Sequence, residues 1–147
     1  MDKTVGIWSL AACVALAGCA GGSASSFSPA PSFRPVATSV LSTATVGGGP
    51  AFIDATMHVV YVFDGDMNTP NFSNCTSGDC VNFWPSLAVA PGVMLPMQWS
   101  VFVRPGGALQ LAYKGRAMYT FSGDTSALVS AGDSLNEFGG FWHIARP

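Results

Sequence analysis

Apolar residues in the C-terminal two thirds of the chain occur in short runs that are rich in β-branched and aromatic side chains. Gly, Pro and Asp separate these runs, and no window keeps the 3.6-residue apolar period of a helix. The pattern therefore favours strands joined by tight turns, as in antiparallel sheets. The predicted strands are residues 51–55, 58–63, 99–104, 108–113, 116–121 and 141–145.

One hexapeptide pattern, Y-x-F-x-G-D, occurs twice in the chain. It starts at Tyr61 and again at Tyr119, 58 residues later. The same offset carries Phe83-Trp84 onto Phe141-Trp142. The matched spacing of hexapeptides and aromatic pairs indicates that one structural unit is used twice.

The two predicted units span about residues 51–87 and 108–147, and each contains a hairpin, an acidic turn, a variable loop and an aromatic segment. We predict an all-β domain in which an approximate twofold axis relates these units. Their strands should form a small antiparallel barrel or sandwich. The aromatic residues expected at its centre are Tyr61, Phe63, Trp84, Tyr119, Phe121 and Trp142.

The N-terminus carries an export signal, predicted as residues 1–18. Its apolar run, Val5–Leu16, is shorter than the roughly 20 residues that span a bilayer. Leu16-Ala17-Gly18-Cys19 resembles the bacterial lipobox, whose Cys becomes the first mature residue and carries acyl chains such as palmitate. An ordinary cleaved signal peptide is the alternative.

A lipid on Cys19 would hold the protein at a membrane without a spanning helix. The expected location is therefore the bacterial cell envelope. Ala20 follows the Cys, whereas an Asp there would resemble an inner-membrane retention signal. In a bacterium with two membranes, we expect the outer membrane, on its periplasmic or surface face.

Residues 19–50 are rich in Ser, Ala, Gly and Pro, which is typical of a tether. The run Gly47-Gly48-Gly49-Pro50 suits a linker, and we place the start of the folded domain at residue 51. Within this stretch, Val36–Val46 is β-prone and capable of pairing with the domain.

Charge is sparse along the chain, since Lys, Arg, Asp and Glu make up 10% of the residues and the net charge is −2. Apolar residues make up 49%, which suits one compact domain and excludes a disordered chain. We expect no basic patch for phosphates, and nucleic acid is therefore not an expected partner.

Two of the four Cys residues are available to the folded domain. Cys13 lies in the signal peptide and Cys19 is the candidate lipid carrier, which leaves Cys75 and Cys80. In an exported protein such a pair predicts a disulfide, worth roughly 2 kcal/mol for so small a loop. Thiol chemistry or a metal pair is the alternative. A short helical turn is expected between Cys80 and Trp84.

The paired hexapeptides resemble the Y-x-[FWY]-x-x-D signature of the bacterial secreted-repeat lipoproteins. The Cys pair followed by Phe83-Trp84-Pro85 and the closing segment Trp142–Pro147 are similar too, so the resemblance covers about residues 50–147. It implies export and a two-unit architecture, but no activity. The chain departs from the family pattern in its extended loop, Asn68–Asp79.

The repeated Asp residues, Asp66 and Asp124, admit two interpretations. In each hexapeptide the Tyr and Phe are two residues apart and share one face of a strand. The structural interpretation buries both rings and lets the Asp accept hydrogen bonds from turn amides or a Tyr hydroxyl. The functional one brings the two carboxylates together across the twofold axis, to bind a cation or perform acid–base chemistry.

Two metal sites are weak alternatives. Residues 64–68 imitate the D-x-D-x-N start of a calcium loop through Asp64 and Asp66, but the required Glu at position twelve is Cys75. Copper favours imidazole and thioether ligands, for which the candidates are His58, His143, Met94 and Met97.

The chain lacks the common catalytic motifs. It has no G-x-S-x-G elbow, no S-x-x-K, no H-E-x-x-H and no phosphate-binding Gly-rich loop before a helix. The leading hypothesis is therefore an exported, membrane-anchored, non-enzymatic binding or envelope protein without a cofactor, whose protein or envelope partner the sequence does not identify. The alternative hypothesis is a periplasmic copper- or calcium-binding protein.

Overall fold

The computed structural model describes residues 40–147. The predicted signal peptide, Cys19 and the first part of the predicted tether lie outside the described residues. Among residues 40–147, no helix has the length and apolar character needed to cross a membrane.

Eight short strands, one 3₁₀ turn and one short helix make up the domain. In chain order they are β1 Ser42–Val46, β2 Gly49–Ile53, β3 Tyr61–Phe63, the 3₁₀ turn Asp64–Asp66, α1 Gly78–Phe83, β4 Trp99–Val103, β5 Leu109–Tyr113, β6 Arg116–Ala117, β7 Asn136–Glu137 and β8 Gly140–Ile144. They form three antiparallel sheets, ordered β1-β2, β3-β8-β7 and β4-β5-β6. The predicted all-β class is confirmed. Within the described part of the chain the sheets are arranged like a sandwich and do not close into a barrel.

The N-terminal boundary of the domain differs from the one expected at residue 50. Residues 42–46 pair with residues 49–53 as a hairpin, so the folded domain begins earlier. Gly47 and Gly48 form its two-residue turn, with φ of 56° and 79°. Because a tight hairpin turn favours Gly at positive φ, the glycine run that resembles a linker is here part of the sheet.

Two predicted strands are shorter than expected, because their residues divide their hydrogen bonds among several partners. Residues 58–63 keep a ladder only over β3, and residues 116–121 only over β6. Of the remaining residues, Val59 forms an isolated bridge with Ile53, and Tyr119 forms bridges with Tyr61 and Ser86. In this part of the fold the pairing changes from one partner segment to the next.

The two units exchange their aromatic segments. Tyr61 of the first unit pairs with Ile144 of the second, and Tyr119 of the second unit pairs with Ser86 of the first. Both pairs obey the 58-residue offset. Tyr61 and Tyr119 also pair with each other, with backbone N–H to O distances of 2.8 and 3.0 Å. The approximate twofold axis therefore passes between these two tyrosines.

A stack of four aromatic rings fills the centre of the domain. Trp84 and Trp142 lie face to face with centroids 3.8 Å apart. Phe63 stacks on the outer face of Trp142 at 4.3 Å, and Phe121 lies against Trp84 at 4.4 Å. The two units therefore contribute alternate rings to one continuous stack within the larger core cluster.

A second core cluster lies on the other face of β3. It contains Phe52, Val60, Val62, Leu111, Met118 and Ala145. Alternation along β3 explains the division, because Tyr61 and Phe63 belong to the aromatic core whereas Val60 and Val62 belong to this cluster.

The predicted disulfide joins Cys75 to Cys80, with Cα atoms 5.5 Å apart. Both Cys residues are buried in the aromatic core; Cys80 lies within α1, Gly78–Phe83, which ends just before Trp84. The bridge therefore attaches the Asn68–Asp79 loop to the helix that leads into the aromatic stack.

We expect Gly65→Ala to lower the free energy of unfolding by about 2 kcal/mol or more, as overpacking does. A Cβ at this position would lie 2.3 Å from the Phe63 ring, which is held against Trp142. Gly123→Ala should act in the same direction but less strongly, because its obstacle, the Phe121 ring, is only partly buried. Urea unfolding measures both.

Gly48→Asn is the matched control. Gly48 has a positive φ but open space around its Cβ position, and Asn tolerates that conformation. If Gly65→Ala were no more destabilising than this control, the close fit of ring over glycine would not limit the fold.

Candidate functional site

The two repeated Asp residues each accept hydrogen bonds from a Tyr of the other unit. Tyr119 Oη donates to Asp66 Oδ2 at 2.6 Å, and Tyr61 Oη donates to Asp124 Oδ2 at 2.7 Å. The second oxygen of Asp66 accepts from the backbone N–H of Asn74 at 2.7 Å. These contacts are the ones that the structural interpretation of the hexapeptide requires.

Asp124 repeats the arrangement, since its Oδ1 accepts from the backbone N–H of Ala131 at 2.8 Å. Both carboxylates are buried, at 5% exposure for Asp66 and 4% for Asp124. The donors of one are not the donors of the other. Each carboxylate therefore stabilises its own turn and the opposite tyrosine, and the two share no hydrogen-bond donor.

Burial changes the titration of these groups. Burial raises the pKa of Asp66, although hydrogen bonds from Asn74 and Tyr119 act in the opposite direction. Burial, together with the hydrogen bond to Asp124, raises the pKa of the Tyr61 phenol. For Tyr119, burial and the charge of Asp66 likewise raise the pKa of its phenol. All three shifts favour the neutral form of the group.

A buried cation lies next to this network. Arg104, 8% exposed, donates to Ser73 Oγ at 3.1 Å and also to Gln110 and the carbonyl of Cys75. Ser73 Oγ in turn lies 2.7 Å from Tyr119 Oη. Arg104 therefore connects the disulfide loop to the tyrosine that binds Asp66. The sequence provided no signal for this role.

The candidate metal ligands are largely occupied by protein partners. His58 Nδ1 lies 2.7 Å from Thr56 Oγ1, and Met97 is 92% exposed, with Met94 exposed as well. Asp64 accepts from Arg116 on one oxygen and lies 3.0 Å from His143 on the other. Within residues 40–147, no group of three or more His, Cys, Asp or Glu side chains is placed to hold a metal ion.

A cleft of about 280 Å³ lies between the β5–β6 turn and the C-terminal end of β8. Its polar lining consists of Lys114, Arg116, Arg146 and His143. Its apolar and aromatic lining consists of Val62, Tyr113, Met118, Ile144 and Ala145. Three of the four Lys and Arg residues in the described part of the chain therefore meet here, and the fourth is the buried Arg104.

Only one of the three cleft cations has a carboxylate partner among residues 40–147. Arg116 Nη2 donates to Asp64 Oδ1 at 3.1 Å and to the carbonyl of Phe63 at 3.2 Å. Lys114 Nζ lies 4.8 Å from the centre of the Tyr113 ring. Three cations therefore line one cleft, which the low overall charge of the chain did not predict, and the expectation of no nucleic-acid partner stays a prediction.

Arg146 is held by the β1–β2 hairpin. Its Nη1 donates to the carbonyl of Pro50 at 3.0 Å and, more weakly, to that of Val46 at 3.4 Å. These neutral partners orient the guanidinium and leave its charge in place. Sequence reasoning missed the cleft because Arg146 is far along the chain from Lys114 and Arg116, and only the fold brings it beside them.

With this geometry established, comparison with known proteins identifies part of the chain. Residues 100–146 match the family described as a secreted repeat of unknown function. The match confirms the resemblance drawn from the paired hexapeptides, and it indicates an exported protein. It includes the second hexapeptide, Trp142 and most of the cleft. No match was found among curated proteins, nor among solved structures.

The cleft lies where the two units differ. Under the 58-residue offset, Lys114 corresponds to Thr56, Arg116 to His58 and Arg146 to Ala88. His143 corresponds to Pro85, and Asp64 corresponds to Ser122. The two units thus share their aromatic, Gly and last Asp positions, which serve the core, whereas the Lys and Arg positions of the cleft occur in one unit only.

The free energy of unfolding is expected to fall as pH rises above 10, the ordinary pKa of a tyrosine phenol. Since the pKa values of Tyr61 and Tyr119 are raised in the folded protein, the unfolded chain releases these protons first. Their contribution to stability is complete below pH 10 and is lost above it. Urea unfolding at a series of alkaline pH values measures the loss.

Tyr119→Phe tests the source of this effect. The variant should be less stable by about 1–3 kcal/mol at neutral pH, because Asp66 loses its hydroxyl donor, and it should lose less stability above pH 10. Tyr113→Phe, whose hydroxyl contacts only the exposed Gln98 at 2.9 Å, should match the wild type at neutral pH. An equal alkaline loss in Tyr119→Phe and the wild type would contradict the assignment.

Proposed function

We propose that this chain is an exported, lipid-anchored, non-enzymatic binding protein of the bacterial cell envelope, and that the cleft is its ligand site. Export is supported by the family match to residues 100–146. The lipobox resemblance of residues 16–19 supports an acyl anchor on Cys19. The proposal involves no cofactor.

The observation that carries the proposal is the convergence of Lys114, Arg116 and Arg146 on one cleft. The residues that both units share serve the core. In the first unit, the positions that correspond to Lys114, Arg116 and Arg146 hold no Lys or Arg. A structural role for the repeat does not account for three cations collected on one side of it. An anionic ligand does, because Arg and Lys recognise carboxylates and phosphates through charge-assisted hydrogen bonds.

The non-enzymatic part of the proposal is supported by the state of the buried carboxylates. A general acid or base must reach the substrate proton, at about 3 Å or through one water. Asp66 and Asp124 are instead buried, and both oxygens of each accept hydrogen bonds from the protein. In this proposal, the burial and hydrogen bonds of Asp66 and Asp124 stabilise the folded domain.

The anchor is tested by the intact mass of protein extracted from membranes. We expect a chain that begins at Cys19 and carries acyl chains, because the lipobox Cys becomes the first mature residue. Cys19→Ala should release the protein from the membrane fraction. Cys13→Ala, which alters a Cys within the predicted signal, is the matched control and should leave the mature mass unchanged. A mature chain that begins at Cys19 without lipid would overturn the anchor.

The ligand site is tested by titrating isotope-labelled domain with citrate and following backbone amide signals, with sodium chloride at equal ionic strength as the reference. Signals of cleft residues should shift in a saturable manner. Arg116→Gln should weaken citrate binding by at least about fivefold through loss of one charge-assisted contact.

His58→Gln is the matched control for Arg116→Gln, because His58 occupies the corresponding position in the first unit. It should bind citrate like the wild type. Shifts that are scattered over the surface, or equal in both variants, would exclude the cleft as the site.

A further inference from the structure

The cleft combines a charged side with an apolar side. Val62, Met118 and Ala145, which line it, also belong to the second core cluster, so its apolar wall is an opening of the core itself. Tyr113 adds a partly exposed ring beside Lys114. A ligand that fits this lining has an anionic group and an apolar body.

The charged side retains capacity for a ligand. Lys114 and Arg146 have no carboxylate within salt-bridge distance among residues 40–147. Arg116 uses Nη2 for Asp64 and Phe63, and no other nitrogen of its guanidinium has a hydrogen-bond partner in the described part of the chain. Because the Nε of Arg116 is buried, Nη1 is the guanidinium nitrogen that remains to donate to a ligand.

Size limits the ligand. At about 280 Å³ the cleft lies near the lower end of ligand pockets, which are roughly 300–1,000 Å³. It suits a molecule with one acidic group and a short chain or a single ring. A long polymer could place only one of its own residues or a short segment in so small a cleft at a time.

We infer that the cleft binds a small, free amphipathic organic acid, with its carboxylate at Arg116, Lys114 and Arg146 and its apolar part against Val62 and Met118. The inference rests on the proposed function and specifies its ligand. A fully hydrated anion such as inorganic phosphate gains nothing from the apolar wall, and a neutral apolar molecule leaves the cations without a partner.

The test is a homologous series of straight-chain carboxylates from acetate to octanoate, titrated into the labelled domain. Each added methylene should tighten binding by about twofold to fourfold until the cleft is filled, after which affinity should level off. The corresponding uncharged amides should bind much more weakly at every length.

Variants separate the charge contribution from the apolar one. Lys114→Gln and Arg116→Gln should weaken binding of every acid while leaving the gain per methylene unchanged. Lys114 is exposed, so its substitution does not disturb the core. His58→Gln should reproduce the wild-type series.

The outcomes are distinguishable. Equal affinity for acetate and octanoate, with citrate still bound at the cleft, would overturn this inference and leave the proposed function standing. No shift with any anion would overturn both. Amides that bind as tightly as acids would exclude recognition of the charge. Concentration-dependent self-association that Arg116→Gln abolishes would show that a second copy of the chain occupies the cleft, and it would also overturn the inference.

Discussion

The exchanged Tyr–Asp hydrogen bonds are the interaction on which the rest of this structure depends. A buried carboxylate is costly unless it is hydrogen-bonded. Asp66 and Asp124 each obtain their hydroxyl donor from the other unit, through Tyr119 and Tyr61. Neither unit satisfies its own buried Asp by itself, so the two units stabilise each other as one domain. The backbone pairing of the same two tyrosines keeps these bonds at the twofold axis.

This constraint explains why the repeated residues lie in or against the core. The Phe of each hexapeptide covers the Gly of the same hexapeptide. Phe63 also packs against Trp142, and Phe121 packs against Trp84, so each Phe contacts a Trp of the other unit. Every repeated position therefore has a defined core contact. A change at any of them would disturb packing in both units. Positions that need not repeat, such as 114, 116 and 146, remain free to carry charge. The cleft is therefore asymmetric although the core around the twofold axis is shared by both units.

Much of the fold was predictable from local pattern, since period-2 alternation and turn residues reveal strands and the 58-residue offset reveals the repeat. The disulfide between Cys75 and Cys80 and the short helix before Trp84 also followed from spacing. The error at residues 42–50 has a physical cause. Consecutive glycines suit both a linker and a hairpin turn at positive φ, and only the partner strand distinguishes the two.

The sequence by itself determined the strand-rich class, the two copies of one unit and the signals for export, because each depends on residues close together or at one regular offset. Tertiary structure decided which unit supplies the hydroxyl donor to each buried Asp. It also decided where the cleft lies and which residues line it. Strand exchange depends on long-range pairing that no local pattern encodes. The charge of the cleft depends on Lys114, Arg116 and Arg146 converging from the β5–β6 turn and the C-terminal segment after β8, which only the folded chain brings together.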